Sequence, residues 1–288
     1  MLQIKQVSKT FRKRRVLNDV TVSVDGIYAL IGSNGAGKST LMKVVAGLIK
    51  ADKGGDVKLD GVSILKKRHV SHRNQIAFMP QDFSIYPKVS VFDSLDHLAV
   101  LKGIASKKDR KNRITEVLKE VNMLTHQELK MDQLSGGMRK RIGIAQLLLG
   151  KPKVLILDEP TAGLDIEERI RFQHLLRSLG NTYTIMISTH IVEDIEFICS
   201  KIGIIKEGRM LFEGRPEELK QKAVHKVKEH FVKKEELPTF LSKNDVIQVI
   251  EEPELLVARV YAPDAEGATV SPRLIDGYIS VLRQGSKR

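Results

Sequence analysis

Ile27-Tyr28-Ala29-Leu30-Ile31-Gly32-Ser33-Asn34-Gly35-Ala36-Gly37-Lys38-Ser39-Thr40 is the stretch on which the fold turns. A short apolar run closed by glycine reads as a buried strand, and Leu41 to Leu48 then shows helical spacing. Strand, glycine loop and helix, in that order, form the setting in which Gly-x-x-x-x-Gly-Lys-Ser binds phosphate. The glycines let backbone N–H groups turn inward on α- and β-phosphates, and the helix N-terminus adds its partial positive charge. Lys38 is placed to reach the β- and γ-phosphates, and Ser39 to offer a hydroxyl to magnesium. A glycine turn without function is the bland alternative, and the flanking strand and helix count against it.

Two further stretches fit around that loop. Val154 to Leu157 is an apolar run ending in adjacent carboxylates, Asp158 and Glu159. In an open parallel sheet the C-terminal strand ends face the ligand crevice, so a buried strand here delivers both acids to the phosphates. Asp158 is then the natural magnesium-side ligand, through water, and Glu159 the candidate general base or water-positioning residue. An Asp-Glu pair after a strand, taken alone, reads as a solvated turn; beside a phosphate loop in one α/β core the assignment reverses. Leu134-Ser135-Gly136-Gly137-Met138 precedes a helical pattern, Arg139 to Leu149, placing a serine and two glycines at a second helix N-terminus that suits an anion. One nucleotide hardly needs two such sites in one lobe.

Strands alternate with helices through much of the chain. Val20 to Val24 alternates, Thr184 to Ser188 follows a helix at about Ile166 to Leu179, and Lys201 to Ile205 reads as a strand behind a further helix. That is an α/β pattern with a mainly parallel sheet. From Asp82 to about Gly150 the apolar spacing is helical, as in Ile114, Val117, Leu118 and Val121, and reads as a helical insert. At Gly214-Arg215-Pro216 the character changes: residues 215–288 hold 13 Lys plus Arg against 12 Asp plus Glu, whereas the whole chain holds 48 against 35. The last segment is expected to form a helix from Pro216, strands near Lys226 to Val232, Asp245 to Ile250 and Leu255 to Tyr261, and a closing helix at about Ser271 to Leu282. The expected division is therefore 1–214 and a small α/β appendage, 215–288.

With 288 residues, 42% of them hydrophobic and 29% charged, the chain buries a sizeable core; wholesale disorder and a fibrous architecture are excluded. A net charge of +13 suits nucleic acid, nucleotide or an anionic membrane face, without choosing among them. The single Cys199 excludes an internal disulfide framework and a cysteine-cluster zinc site, which fits a reducing cytosol. The opening Met1 to Arg15 lacks the apolar region and cleavage site of a secretory signal. Apolar runs fall far short of the roughly 18 to 20 residues that cross a bilayer as a helix, so any membrane connection is expected to go through a partner.

At this point the motifs resemble those of the nucleotide-binding subunit of an ATP-binding cassette (ABC) transporter, over roughly residues 2–214; Leu134 to Met138 resembles that family's signature sequence. The resemblance implies a P-loop NTPase core with an antiparallel β subdomain and a helical subdomain at about 82–150, using ATP and Mg2+. It implies that Ser135, with Gly136 and Gly137, contacts the γ-phosphate held by the other subunit, hence a head-to-tail dimer over two ATP, formed with itself or a related ATPase subunit. Gln81, in Met79-Pro80-Gln81-Asp82, resembles the glutamine that senses the γ-phosphate and magnesium. Asp165, in Ala162-Gly163-Leu164-Asp165, resembles the loop that crosses the dimer interface, and His190 the histidine that contacts the γ-phosphate. Phe11 stands where the family has an aromatic, often Tyr, stacked on adenine; Phe keeps the π-face and loses the hydroxyl. More weakly, Ser271 to Tyr278 resembles the closing helix of the branch that exports drugs, bacteriocins or polysaccharides.

The expected function is the ATPase subunit of an exporter, peripheral at the cytoplasmic membrane face through a separate transmembrane permease. A soluble cassette ATPase acting on nucleic acid or ribosomes suits the positive charge, but such proteins show two cassettes, long coiled coils or zinc cysteines, and this sequence has one phosphate loop and one cysteine. Nucleic acid is therefore not the expected partner. A non-hydrolysing nucleotide-binding regulator is disfavoured by the presence of Glu159 and His190. The basic clusters Arg12 to Arg15, Lys66 to Arg68 and Lys107 to Arg113 read equally as lipid-facing or as solvated surface. Phe83, Ile85 and Tyr86 read as receivers of a membrane subunit's cytoplasmic helix or as filling for the lobe's own core.

Overall fold

The apolar run that ends at Gly32 is a strand buried at all five positions. The structure, a computed structural model, describes residues 1–65, 75–83, 86–252, 255–263 and 270–285. Lys66, Lys67, Arg68 and Ile85 lie outside those residues. The chain divides into two units, Met1–Met210 and Leu211–Arg288, each described on its own.

In chain order the strands of the first unit are β1 (Leu2–Phe11), β2 (Arg14–Val24), β3 (Ile27–Ile31), β4 (Asp56–Leu59), β5 (Val62–Ser63), β6 (Ile76–Met79), β7 (Val154–Leu157), β8 (Thr184–Thr189) and β9 (Lys201–Lys206), with β10 (Arg209–Gly214) crossing into the second. They make two sheets, β2-β1-β4-β5 and β10-β9-β3-β8-β7-β6. The first is antiparallel: Leu2 pairs with Val24 and with Leu59, and Ile4 with Val22 and with Val57, so one strand's inward residues meet apolar partners on both sides. In the second, β3 runs parallel to β8 and β9, and β7 parallel to β6 and β8. Every residue of β7 is buried, as in β3. Strands covered on both faces need no polar alternation, which is why they read as continuous apolar runs. Parallel pairing puts the C-terminal ends of β3, β6, β7 and β8 at one edge, where Gly32, Gln81, Asp158 and His190 follow.

The helices are α1 (Lys38–Val45), α2 (Val91–Leu101), α3 (Lys107–Glu120), α4 (Gly136–Leu148) and α5 (Ile166–Leu179). Ser90, Ser106, Ser135 and Asp165 cap the last four, each side-chain oxygen accepting a backbone N–H three residues on. Such caps satisfy donors that the helix leaves free at its start. The helix expected between His190 and Lys201 is absent; only a three-residue 3-10 turn, Val192–Asp194, forms there. The N–H groups of Ile195, Ile198 and Cys199 bond back as separate turns. The β-branched residues Ile191, Val192, Ile195 and Ile198 favour a helix weakly.

The second unit holds α6 (Pro216–Gln221), β11 (Val227–Val232), α7 (Leu237–Lys243), β12 (Val246–Glu251), β13 (Leu256–Tyr261) and α8 (Leu274–Gly285). Its sheet, in the order β11-β13-β12, is antiparallel throughout. Sequence patterning did not foresee α7, which is short and buries none of its residues. Inside the unit, Asp276 of α8 is fully buried and pairs with Arg259 of β13, itself 2% exposed and also paired with Glu229 of β11. A charge so buried persists only with its partner.

Candidate functional site

Gly37 ends the loop at φ 108°, and a Cβ there would stand 3.0 Å from the Val16 carbonyl and 3.0 Å from Leu17 Cδ2. Both the backbone and the space therefore demand glycine where β2 crosses the loop. Beside it, Gly208 of the β9–β10 turn donates its N–H to the Ala36 carbonyl at 2.9 Å and accepts the Asn18 N–H at 2.8 Å. The loop is thus braced from two directions, by β2 and by a turn that sequence reading passed over. Ser33, Asn34 and Gly35 at its crest are exposed, as is Ser39, while Lys38 is 5% exposed. Lys38 Nζ donates to the Gly32 carbonyl at 2.7 Å and the Ser33 carbonyl at 3.3 Å, which folds the side chain back across its own loop.

Two strands along the sheet, with β8 between, β7 delivers the two acids. Asp158 is 4% exposed, and its Oδ1 accepts the Ser188 hydroxyl of β8 at 2.6 Å. The same Ser188 Oγ accepts the Glu159 N–H at 2.8 Å. Ser188 fixes both acids at once, and only strand pairing reveals it. Among the described residues the second Asp158 oxygen has no hydrogen-bond partner; it and the exposed Ser39 hydroxyl are hard oxygen donors of the kind that suits magnesium. Glu159 sits at φ 45°, a left-handed conformation that a residue with a Cβ adopts rarely and keeps when its surroundings hold it. Its carboxylate lies between Lys38 and His190: Oε1 is 3.6 Å from Lys38 Nζ and Oε2 is 3.4 Å from His190 Nδ1. The His190 side chain is 47% exposed and that of Glu159 12%.

Lys38, Asp158, Glu159 and His190 thus come together within one chain. Ser135, Gly136 and Gly137 do not join them: among the described residues no hydrogen bond or ion pair links these three to Gly32–Thr40. Ser135 Oγ accepts the Met138 N–H at 3.1 Å. Gly137 is packed so closely on α5 that a Cβ would meet Glu168 Oε2 at 1.9 Å. Asp165 caps that same helix, its Oδ1 accepting the Glu168 N–H at 2.8 Å. Gln81 is exposed, and its carbonyl accepts Lys140 Nζ of α4 at 2.9 Å, tying the entry of the helical lobe to the helix that Ser135 starts. Burial holds the Lys140 ammonium below the usual lysine range, with the carboxylates of Asp82 and Glu159 pulling the other way. Gln81, Lys140, Gly136 and Leu164 line a cavity of about 330 Å³.

Phe11 lies at the β1–β2 hairpin, 45% exposed, with Lys9 Nζ 5.1 Å from its ring centroid. Phe83 presses on Gly143 of α4, so it fills the lobe, whereas Tyr86 is 66% exposed. In Lys107 to Arg113 the arginines turn inward: Arg110 binds Asp96 at 2.6 Å and Arg113 the Leu148 carbonyl, leaving Lys107, Lys108 and Lys111 to solvent. Among the described residues no helix is long and apolar enough to cross a membrane.

Comparison with known proteins points the same way as this geometry. The family described as ABC transporter matches residues 17–162. The linearmycin resistance ATP-binding protein LnrL of Bacillus subtilis is 32% identical over 76% of this chain and 70% of its own. The lantibiotic transport ATP-binding protein SrtF of Streptococcus pyogenes is 36% identical over 74% of this chain and 90% of its own. Among solved structures, the dimeric post-hydrolysis state of the ATP-binding cassette MJ0796, bound to ADP and Pi, superposes with a TM-score of 0.65 at 26% identity, covering 75% of this chain and 98% of that one.

Proposed function

The chain belongs to the ABC transporter family as one of its ATP-binding, ATP-hydrolysing subunits, and from that premise we propose that it powers export through a separate transmembrane subunit at the cytoplasmic membrane face. Subunits of this family dimerise and work with transmembrane subunits. The names of LnrL and SrtF, ATP-binding proteins of linearmycin resistance and of lantibiotic transport, favour outward movement of the cargo.

The observation that carries the reading is the Glu159 carboxylate held between Lys38 Nζ and His190 Nδ1 at the C-terminal edge of the sheet. In the proposed reaction the loop N–H groups and Lys38 bind the phosphates of ATP, and Phe11 stacks on adenine. Glu159 takes the proton of the attacking water, and His190 hydrogen-bonds the γ-phosphate as charge builds on it. Ser39, Asp158 through water, and Gln81 would hold Mg2+, which neutralises charge on the β- and γ-oxygens. Ser135, Gly136 and Gly137 contact the γ-phosphate bound by the other subunit, and Asp165 lies in the loop that crosses between the two. We assign residues 215–288 to an accessory domain that tunes assembly and takes no part in chemistry.

Affinity purification of the tagged full chain from detergent-solubilised membranes tests the assignment. A polytopic membrane protein recovered in stoichiometric amount is the expected result; recovery with ribosomes or nucleic acid, and no membrane protein, overturns it.

A further inference from the structure

Asp194 is a carboxylate only 4% exposed, four residues after His190, in a turn that touches no part of the phosphate loop among the contacts described above. Its Oδ2 accepts the Thr161 hydroxyl at 2.6 Å, and Thr161 is itself 5% exposed. Its Oδ1 takes Gln173 Nε2 at 3.5 Å and stands 3.5 Å from Arg169 Nη1. These partners come from two places. Thr161 lies between Glu159 and Asp165 on the turn after β7, and Arg169 and Gln173 lie on α5, the helix that Asp165 caps. One buried carboxylate therefore gathers the turn after His190, the turn after Glu159 and the helix after Asp165.

A carboxylate withdrawn from water is stable only while its donors stay in place, so it fixes the segments that supply them. The segments fixed here need it. Glu159 sits in a left-handed backbone conformation, which persists only where neighbours over-determine it. Ser188 holds its N–H from one side; Thr161, two residues on, is anchored by Asp194 from the other. The separation of Glu159 Oε2 and His190 Nδ1, 3.4 Å, depends on both turns keeping their register.

We propose that Asp194 is a positioning residue for ATP hydrolysis: through Thr161 and Arg169 it holds Glu159 and His190 in the relative placement that aligns water with the γ-phosphate. The proposal rests on the reading of Glu159 as the base. Misplacing a catalytic group by about 1 Å costs on the order of 10²-fold in rate with little effect on substrate affinity.

The test is a mutant cycle in the full chain, with steady-state ATPase rate and equilibrium ATP affinity measured on each variant. Asp194→Asn is expected to lower kcat by about 10- to 100-fold while ATP affinity is kept, and to add little further loss in a Glu159→Gln background. Thr161→Val removes the hydroxyl without touching a charge and is expected to show the same pattern more mildly, which serves if Asp194→Asn folds poorly. Wild-type kcat in both Asp194→Asn and Thr161→Val overturns the positioning role, as does a loss that multiplies in full on top of Glu159→Gln. Wild-type turnover by Glu159→Gln alone sinks the base assignment instead, and the positioning proposal with it.

Discussion

At the scale of single residues, binding and hydrolysis are assigned to adjoining side chains. Lys38 lies buried against the carbonyls of its own loop and one oxygen of the Glu159 carboxylate, whose other oxygen faces His190. Glu159→Gln keeps the shape and loses the base, so turnover is expected to fall by about 10²- to 10⁴-fold with ATP binding retained in calorimetry; wild-type turnover contradicts the assignment. Lys38→Ala removes a charge-assisted phosphate contact and is expected to weaken ATP binding itself. Gly37→Ala is expected to do the same without removing a ligand, because alanine at φ 108° meets strain and the Val16 carbonyl together. A cost of about 1–3 kcal/mol corresponds to roughly 5- to 150-fold weaker nucleotide binding, readable in the same titration.

Among the elements, α4 bears the second motif suited to an anion, and among the described residues no hydrogen bond or ion pair joins its first turn to the phosphate loop of its own chain. Its first turn carries Ser135, Gly136 and Gly137, and Gly137 is pinned against Glu168 of α5. Ser135→Arg in a Glu159→Gln background is therefore expected to bind ATP as a monomer and to stay monomeric in light scattering, while Glu159→Gln alone dimerises on adding ATP. Equal dimerisation by both proteins counts against the head-to-tail arrangement. A second element-level prediction concerns Asp60, between β4 and β5. Hydrogen bonds from Lys153 and from the N-terminal ammonium hold its carboxyl at about 2. Because the folded value lies below the unfolded one, the stabilisation is full above about pH 4 and is lost as pH falls toward 2. The side chain is 48% exposed, so screening limits the effect to about 1 kcal/mol at most. Asp60→Asn is expected to lower the melting temperature slightly at pH 7, with the difference from the parent shrinking toward pH 2.

Across the whole molecule, the division falls within β10, and the unit beyond it has a core of its own in Val227, Val232, Leu256, Val260, Leu274 and Val281. All the proposed nucleotide-contacting residues, from Phe11 to His190, precede it. A chain ending at Gly214 is expected to bind ATP with unchanged affinity and to form a less stable ATP-bound dimer. If the folded truncation no longer bound ATP, the second unit would be completing the site.

Linear sequence alone determined the phosphate loop, the acids after β7 and the serine-glycine start of α4, because each is a local motif. Their chemistry depends on residues adjacent in the chain, and a buried parallel strand announces itself as an unbroken apolar run. It also located α5, where the apolar spacing of Leu175, Leu176 and Leu179 marks the buried face, while the Asp165 cap that starts the helix was shown by the structure. Whatever rests on contacts between distant segments was decided by the tertiary structure. Ser188 holds two acids 29 and 30 residues away, Gly208 braces Ala36, and Asp194 reaches Thr161 across 33 residues. None has a local signature: a serine in a strand, a glycine in a turn and an acid in an apolar stretch each fit many settings. The helix expected after His190 failed for the same kind of reason, because an apolar stretch with helical spacing does not by itself say how the backbone between two packed elements is used.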